Sequence, residues 1–196
     1  MKKRYALVHY YSSDTMKSLK KLQHDLESAA DSTYASNHRD PHLTVGAGVI
    51  LGEEEYGIFV KRCHLFANSR SVFSLQSCGF DFMNNRYKGA EDWLNPYLVF
   101  LDIEKSSYLV DLLVSVQNEL VYDQDLYYGT LFDDIDKFQP HTTLVFGDLS
   151  KEWYYKCQDI LATSDFMLNG VMDWFSLVEE WLDGIRCPCE YFKFGW

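Results

Sequence analysis

Two hexapeptides in this chain carry side chains that can do proton chemistry: Asp40-Pro41-His42-Leu43-Thr44-Val45 and Gln139-Pro140-His141-Thr142-Thr143-Leu144. Each places Pro before His, Thr two residues after it, and β-branched or aliphatic residues beyond. In a strand, residues i and i+2 point to the same face, so each His-x-Thr presents an imidazole and a hydroxyl side by side on a rigid element. One such tripeptide carries little weight, because His and Thr are common strand residues. Two copies 99 residues apart, in matched contexts, carry much more. Imidazole titrates near ~6.5, so at neutral pH one His can accept a proton while another donates one. Two opposed histidines suffice for phosphodiester chemistry: one takes the proton of an attacking water or ribose hydroxyl, the other protonates the leaving oxygen. The hydroxyls of Thr44 and Thr143 can hold the non-bridging phosphate oxygens. This scheme requires neither a metal nor a cofactor.

The elements that must position these residues occur twice in the same order. Tyr5 to Tyr11 is rich in strand formers and ends at Ser12-Ser13-Asp14, a helix N-cap signal. Met16, Leu19, Leu22, Leu26 and Ala29 then recur at helical spacing. A polar loop, Asp31 to Asp40, leads into the first motif strand, whose Gly46-Ala47-Gly48 suggests close backbone approach or a bulge. Glu53-Glu54-Glu55 suits the first turn of a helix, with Tyr56, Phe59, Cys63 and Phe66 inward. A strand over 72–83 and a loop over 84–95 follow. The second pass has a strand at 97–103 and a helix opened by Ser106-Ser107, with Leu109, Leu112, Val116 and Leu120 inward. A loop, Asp123 to Gln139, precedes the second motif strand. A helix capped by Ser150 carries Trp153, Cys157, Ile160 and Leu161, and strands cover 166–178 and 185–194. The layout is an internal repeat of strand-helix-strand-helix-strand units, the first about 1–90 and the second about 91–196. Halves on one plan would pack about a pseudo-two-fold axis and could set the motifs on facing walls of one cleft.

The totals bound what the cleft can hold. The 196 residues, 47% apolar and 16% aromatic, suit one well-cored globular unit spanning 1–196. Against 29 acidic residues stand 18 basic ones, a net charge of −11. A duplex binder needs clustered cations, so the balance argues against long duplex nucleic acid and leaves room for a small phosphorylated ligand. The basic start, Met1-Lys2-Lys3-Arg4, is followed by too short an apolar run for a signal peptide, and no stretch reaches membrane-spanning length. Five cysteines, an odd number, suggest reduced thiols and a cytoplasmic setting. Cys187-Pro188-Cys189 has no second Cys or His pair at zinc spacing, so it reads as part of a strand.

On the quoted residues the chain resembles the 2H phosphoesterase superfamily, which includes 2′-5′ RNA ligase-like proteins and cyclic nucleotide phosphodiesterases. The resemblance spans both motifs, their separation, the repeated order and a closing hairpin over 175–194. It implies a bilobal α+β fold with antiparallel sheets lining a central cleft. It also implies metal-independent attack on, or formation of, 2′,3′-cyclic phosphate or 2′-5′ linkages. His42 and His141 would be the acid/base pair, and Thr44 and Thr143 the phosphate-holding hydroxyls. Substrate choice would fall to loops, with Tyr127 and Tyr128 able to stack on a base or simply to pack. His9 and Tyr11 share one face of the first strand and are candidates for the cleft, whereas Tyr10 takes the other face. His24, His38 and His64 are expected in solvent. A nucleotide-binding or sensor module with the same cleft and little turnover is the competing reading.

Overall fold

The structure is a computed structural model that describes residues 2–84, 95–121, 138–180 and 186–195. In chain order the elements are β1 (Lys3–His9), α1 (Ser13–Ala29), α2 (Tyr34–His38), β2 (Leu43–Leu51), α3 (Glu53–Asn68) and β3 (Phe73–Asn84). The second pass contributes β4 (Asn95–Ile103), α4 (Ser107–Val116) running into a π-helical turn (Gln117–Val121), β5 (His141–Gly147), α5 (Lys151–Leu161), β6 (Asn169–Met172), β7 (Trp174–Glu180) and β8 (Arg186–Lys193). Three helices start where a serine announces them. Ser12, Ser106 and Ser150 accept from the backbone N–H of Thr15, Leu109 and Trp153, each satisfying a donor left over at a helix start.

Eight antiparallel strands run in the order β6-β3-β4-β5-β2-β1-β7-β8. The central contact between β5 and β2 is a single register pair, Leu43 opposite Thr142. Four strands therefore lie on each side of a narrow junction, which matches the expected bilobal α+β plan with antiparallel sheets. The pseudo-symmetry is visible in the strand order, and so is an exchange. β3 leaves the first repeat to pair with β4, and β7 leaves the second to pair with β1. Helices cross over as well. On α1, Gln23 Nε2 donates to the Leu144 carbonyl of β5 at 3.0 Å. On α4, Val116 lies so near β2 that a Cβ at Gly46 would meet its Cγ1 at 2.9 Å. Each motif strand is thus backed by a helix of the other repeat.

The main core lies on the helix side of the sheet, built from residues such as Leu7, Leu19, Leu43, Phe59, Leu101, Leu112, Leu144 and Phe175. The opposite face of β1 carries Ala6 and Val8, with Val178 and Tyr10 against them. The glycine-rich stretch of β2 shows both expected features. Gly46 permits the close approach of α4, and Gly48 takes φ 75° where the β1–β2 register shifts, a backbone that glycine adopts without strain.

Three sequence expectations change. The loop over 31–40 contains α2, held by contacts from distant residues: Tyr34 meets Phe146 edge-on at 5.2 Å, and Ser36 N donates to Glu27 Oε1 at 2.9 Å. The strand expected over 166–178 divides at Asp173, because β6 pairs with β3 while β7 pairs with β1. On α5 the buried face includes Tyr154, near Tyr97 and Phe82, and leaves Ile160 38% exposed. The loop over 84–95 falls largely outside the described residues, and 123–137 wholly so.

Candidate active site

The junction of β2 and β5 is where the two motifs meet. Antiparallel strands advance in opposite directions, so the Leu43–Thr142 pair brings His42 beside Thr143 and Thr44 beside His141. All four side chains flank the Leu43–Thr142 pair and share one face, with the histidines on one diagonal and the threonines on the other. In a regular ladder diagonal neighbours lie about 7–8 Å apart, and strands that meet at a single pair bring them no closer. The motifs are therefore side by side on adjacent strands, at the narrow central contact of the sheet. The middle residues, Leu43 and Thr142, face the core and are fully buried.

Both imidazoles are oriented by the same device. His42 Nδ1 is 2.6 Å from the Asp40 carbonyl oxygen, and His141 Nδ1 is 2.7 Å from that of Gln139. A carbonyl only accepts, so Nδ1 carries the proton in each ring. The intervening prolines explain why the carbonyls are available. Pro41 and Pro140 fix their own φ and hold the preceding residue extended, which turns that residue's carbonyl back toward the histidine.

The surroundings differ. His42 has Tyr10 at 5.9 Å, edge-on. Asp40, which supplies the orienting carbonyl, is tied to Lys20 of α1 by an exposed ion pair of 2.7 Å. His141 lies against Phe100 at 4.8 Å and near Phe138 at 6.4 Å. Burial lowers the pKa of His141 below the ordinary imidazole value, while its bond to Gln139 and the nearby Asp102 act in the other direction.

From His42 an aromatic run extends across the sheet. Tyr10 lies 6.3 Å from Trp174, and Trp174 lies 5.4 Å from Tyr191. Tyr191 is 58% exposed. Register explains the shared face: Val8 is opposite Ser176, and Ser176 is opposite Tyr191. This corrects the expectation for β1, since Tyr10 accompanies the candidate histidines and His9 and Tyr11 lie on the core side. Tyr11 OH is hydrogen-bonded to Thr142 Oγ1, and burial pushes the phenol well above its usual pKa. His9 Nδ1 donates to the Trp174 carbonyl at 2.8 Å, and its pKa is lowered by burial. His24 and His64 are exposed, the latter edge-on to Phe192 at 4.8 Å. The side chain of His38 lies outside the described residues, as do Tyr127 and Tyr128. Sequence patterning does not single out Trp174, Tyr191, Phe100 or Asp102. The signal that would find them is strand register, which single-chain periodicity does not supply.

Among the described residues no group of three or more His, Cys, Asp or Glu side chains is arranged to hold a metal. Among the same residues no helix is long and apolar enough to cross a membrane. Cys63 and Cys157 are buried and Cys78 is exposed, and Cys189 lies in β8, as expected for a strand residue.

No protein-family model and no curated protein matches the chain. Solved structures do. TT0787 of Thermus thermophilus superposes with a TM-score of 0.64 at 17% identity, covering 97% of each chain. Escherichia coli LigT complexed with 3′-AMP gives 0.63 at 12% identity, over 99% of each chain. A structure described as a phosphoesterase gives 0.59 at 13% identity, over 100% of each. The chain has the fold of these proteins over its whole length, and the resemblance read from the two motifs is met at that level.

Proposed function

We propose that this chain is a metal-independent phosphoesterase. Its substrate is a cyclic phosphate or a 2′-5′ phosphodiester in a small nucleotide or short oligonucleotide. His42 and His141 act as the acid/base pair, and Thr44 and Thr143 hold the phosphate. The observation that carries the proposal is the matched tethering of the two imidazoles, each with Nδ1 on the carbonyl two residues back, beside crossed hydroxyls. Such an arrangement supports reading both Nε2 atoms as proton-transfer groups.

In hydrolysis of a 2′,3′-cyclic phosphate, His141 Nε2 takes a proton from water, whose oxygen bonds to phosphorus. One phosphorus–ribose oxygen bond breaks, and His42 Nε2–H protonates the departing oxygen. Burial lowers the pKa of His141, which favours the neutral form a base requires. General acid–base assistance contributes roughly 10² to 10⁴ per group. The hydroxyls bear on charge that grows at the non-bridging oxygens.

A nucleoside is favoured over a bare phosphoester by the Tyr10–Trp174–Tyr191 run beside His42, since aromatic faces stack on bases. LigT, which shares the fold, has been solved with 3′-AMP, NADP+, ATP and phosphate. The net charge of −11 fits a small or short substrate better than a long duplex. The protein acts in the cytoplasm as one bilobal unit, its repeats about 1–90 and about 91–196.

A product-resolved screen of 2′,3′-cyclic, 3′,5′-cyclic and 2′-5′-linked substrates in EDTA tests this. One regiospecific phosphomonoester product is expected. Tight binding by titration calorimetry with no turnover of any of these substrates would replace the enzyme with a nucleotide sensor.

A further inference from the structure

Beyond the four motif residues, one carboxylate is built into the second half of the site. Asp102 of β4 is the register partner of His141, so it rises from the neighbouring strand on the same face as the imidazole. Its Oδ1 accepts a hydrogen bond from Gln139 Nε2, and its Oδ2 accepts from Cys78 Sγ of β3 at 3.2 Å. Gln139 is also the residue whose carbonyl orients His141. Side chain and main chain of one glutamine therefore join Asp102 to the imidazole. Each oxygen of the carboxylate accepts one side-chain hydrogen bond, and the one from Gln139 connects it to the imidazole.

We propose that Asp102 is the positioning residue of the second motif: it anchors Gln139, whose carbonyl sets the tautomer and direction of the His141 ring. The inference rests on reading His141 as a proton-transfer group. The first motif is tethered differently. There the orienting carbonyl belongs to Asp40, whose own side chain is held by Lys20 in an exposed ion pair, a weak tether. The titratable and polar groups around His141 are Asp102 on β4, the Cys78 thiol beyond it on β3, and His42 and Thr44 on β2. Cys78 stays protonated at neutral pH, its pKa raised to about 11 by desolvation and by the bond to Asp102. Asp102 is then the negative charge that acts on His141 among the described residues.

The test is a pH titration of the two imidazoles by ¹⁵N NMR in the full chain, beside the pH–rate profile with a nucleoside 2′,3′-cyclic phosphate. Asp102→Asn keeps an acceptor for Gln139 and removes the charge. It should move the His141 titration to lower pH while preserving the Nδ1–H tautomer. Asp102→Ala and Gln139→Ala remove the brace. Both should reduce the Nδ1–H fraction of His141 and lower kcat between about 10- and 100-fold, with KM little changed, the size expected for a misdirected group. In Asp102→Asn the limb of the profile belonging to His141 should shift to lower pH whichever proton role the ring takes. The His42 resonances should stay in place throughout. If His141 keeps its titration and tautomer in all three variants, or if His42 shifts equally, the assignment is overturned. If no cyclic phosphate is turned over by the wild type yet His141 responds as described, the brace stands and the phosphoesterase reading falls.

Discussion

His42 and His141 are held by the same backbone device and set in different company. The first stands beside Tyr10 at the head of an aromatic run, its orienting residue anchored by an exposed ion pair. The second lies against Phe100, with Asp102 and Gln139 forming a half-buried brace. Repetition of the fold accounts for the likeness, since Pro-His-x-Thr at the start of a strand produces the Nδ1–carbonyl bond in either repeat. The difference comes from what the neighbouring strands carry at matching positions. A symmetric scaffold thereby acquires two imidazoles in different surroundings, one beside Phe100 and Asp102 and one beside Tyr10 at the head of an aromatic run.

The largest test of that comparison is removal of each ring. His42→Ala and His141→Ala should each lower kcat by roughly 10² to 10⁴, measured on the preferred substrate. The two variants should lose opposite limbs of the pH–rate profile. Loss of the same limb in both would make the rings equivalent.

Next in size is a contrast between neighbours on β5. Thr143→Val should cost about 10²-fold in kcat, as loss of a phosphate-oxygen donor does, with stability nearly unchanged. Thr142→Val, one residue away and facing the core, should leave kcat in place. Its cost should be about 1–3 kcal/mol in urea unfolding, because the buried Tyr11 hydroxyl loses its partner.

A third prediction concerns pH and stability. His9, buried on the core side, and His141 both have folded pKa values below the ordinary ~6.5 of the unfolded chain. Below that value the unfolded state binds protons that the folded state refuses, so stability is full above about 6.5 and falls as pH drops toward the folded values. Chemical denaturation between pH 7.5 and 5 should show the decline, and His9→Phe should flatten part of it. The smallest effect is expected for Lys20→Ala. An exposed pair contributes about 0–1 kcal/mol, so melting temperature and kcat should barely move, in contrast to the Asp102 variants.

Much of this is legible in the chain. The serine caps, the amphipathic spacing of α1, α3 and α4 and the doubled motif all express local rules, and local rules are what a sequence displays. Within each motif His and Thr share a face because strand alternation requires it, whereas the Leu43–Thr142 pairing brings both motifs to the same face. Properties that depend on which strand pairs with which stay hidden. Tyr10 and His9 are adjacent and go to opposite faces, and only the pairing of β1 with β2 and β7 decides which faces the histidines. Trp174 and Tyr191 join Tyr10 through a register formed between the first strand of the chain and its last two. The exchange of β3 and β7 between halves is likewise a property of the assembled sheet. The helix α2 escapes a sequence reading because its support, Phe146 and Glu27, lies outside its own sequence window.

The most direct test of the central claim is a single comparison in EDTA: wild type against the His42→Ala, His141→Ala double variant, with products of a nucleoside 2′,3′-cyclic phosphate and a 2′-5′ dinucleotide resolved by chromatography. The expected result is one phosphomonoester from the wild type and none above background from the double variant. Undiminished turnover by the double variant would contradict the assignment of phosphodiester chemistry to the paired His-x-Thr motifs.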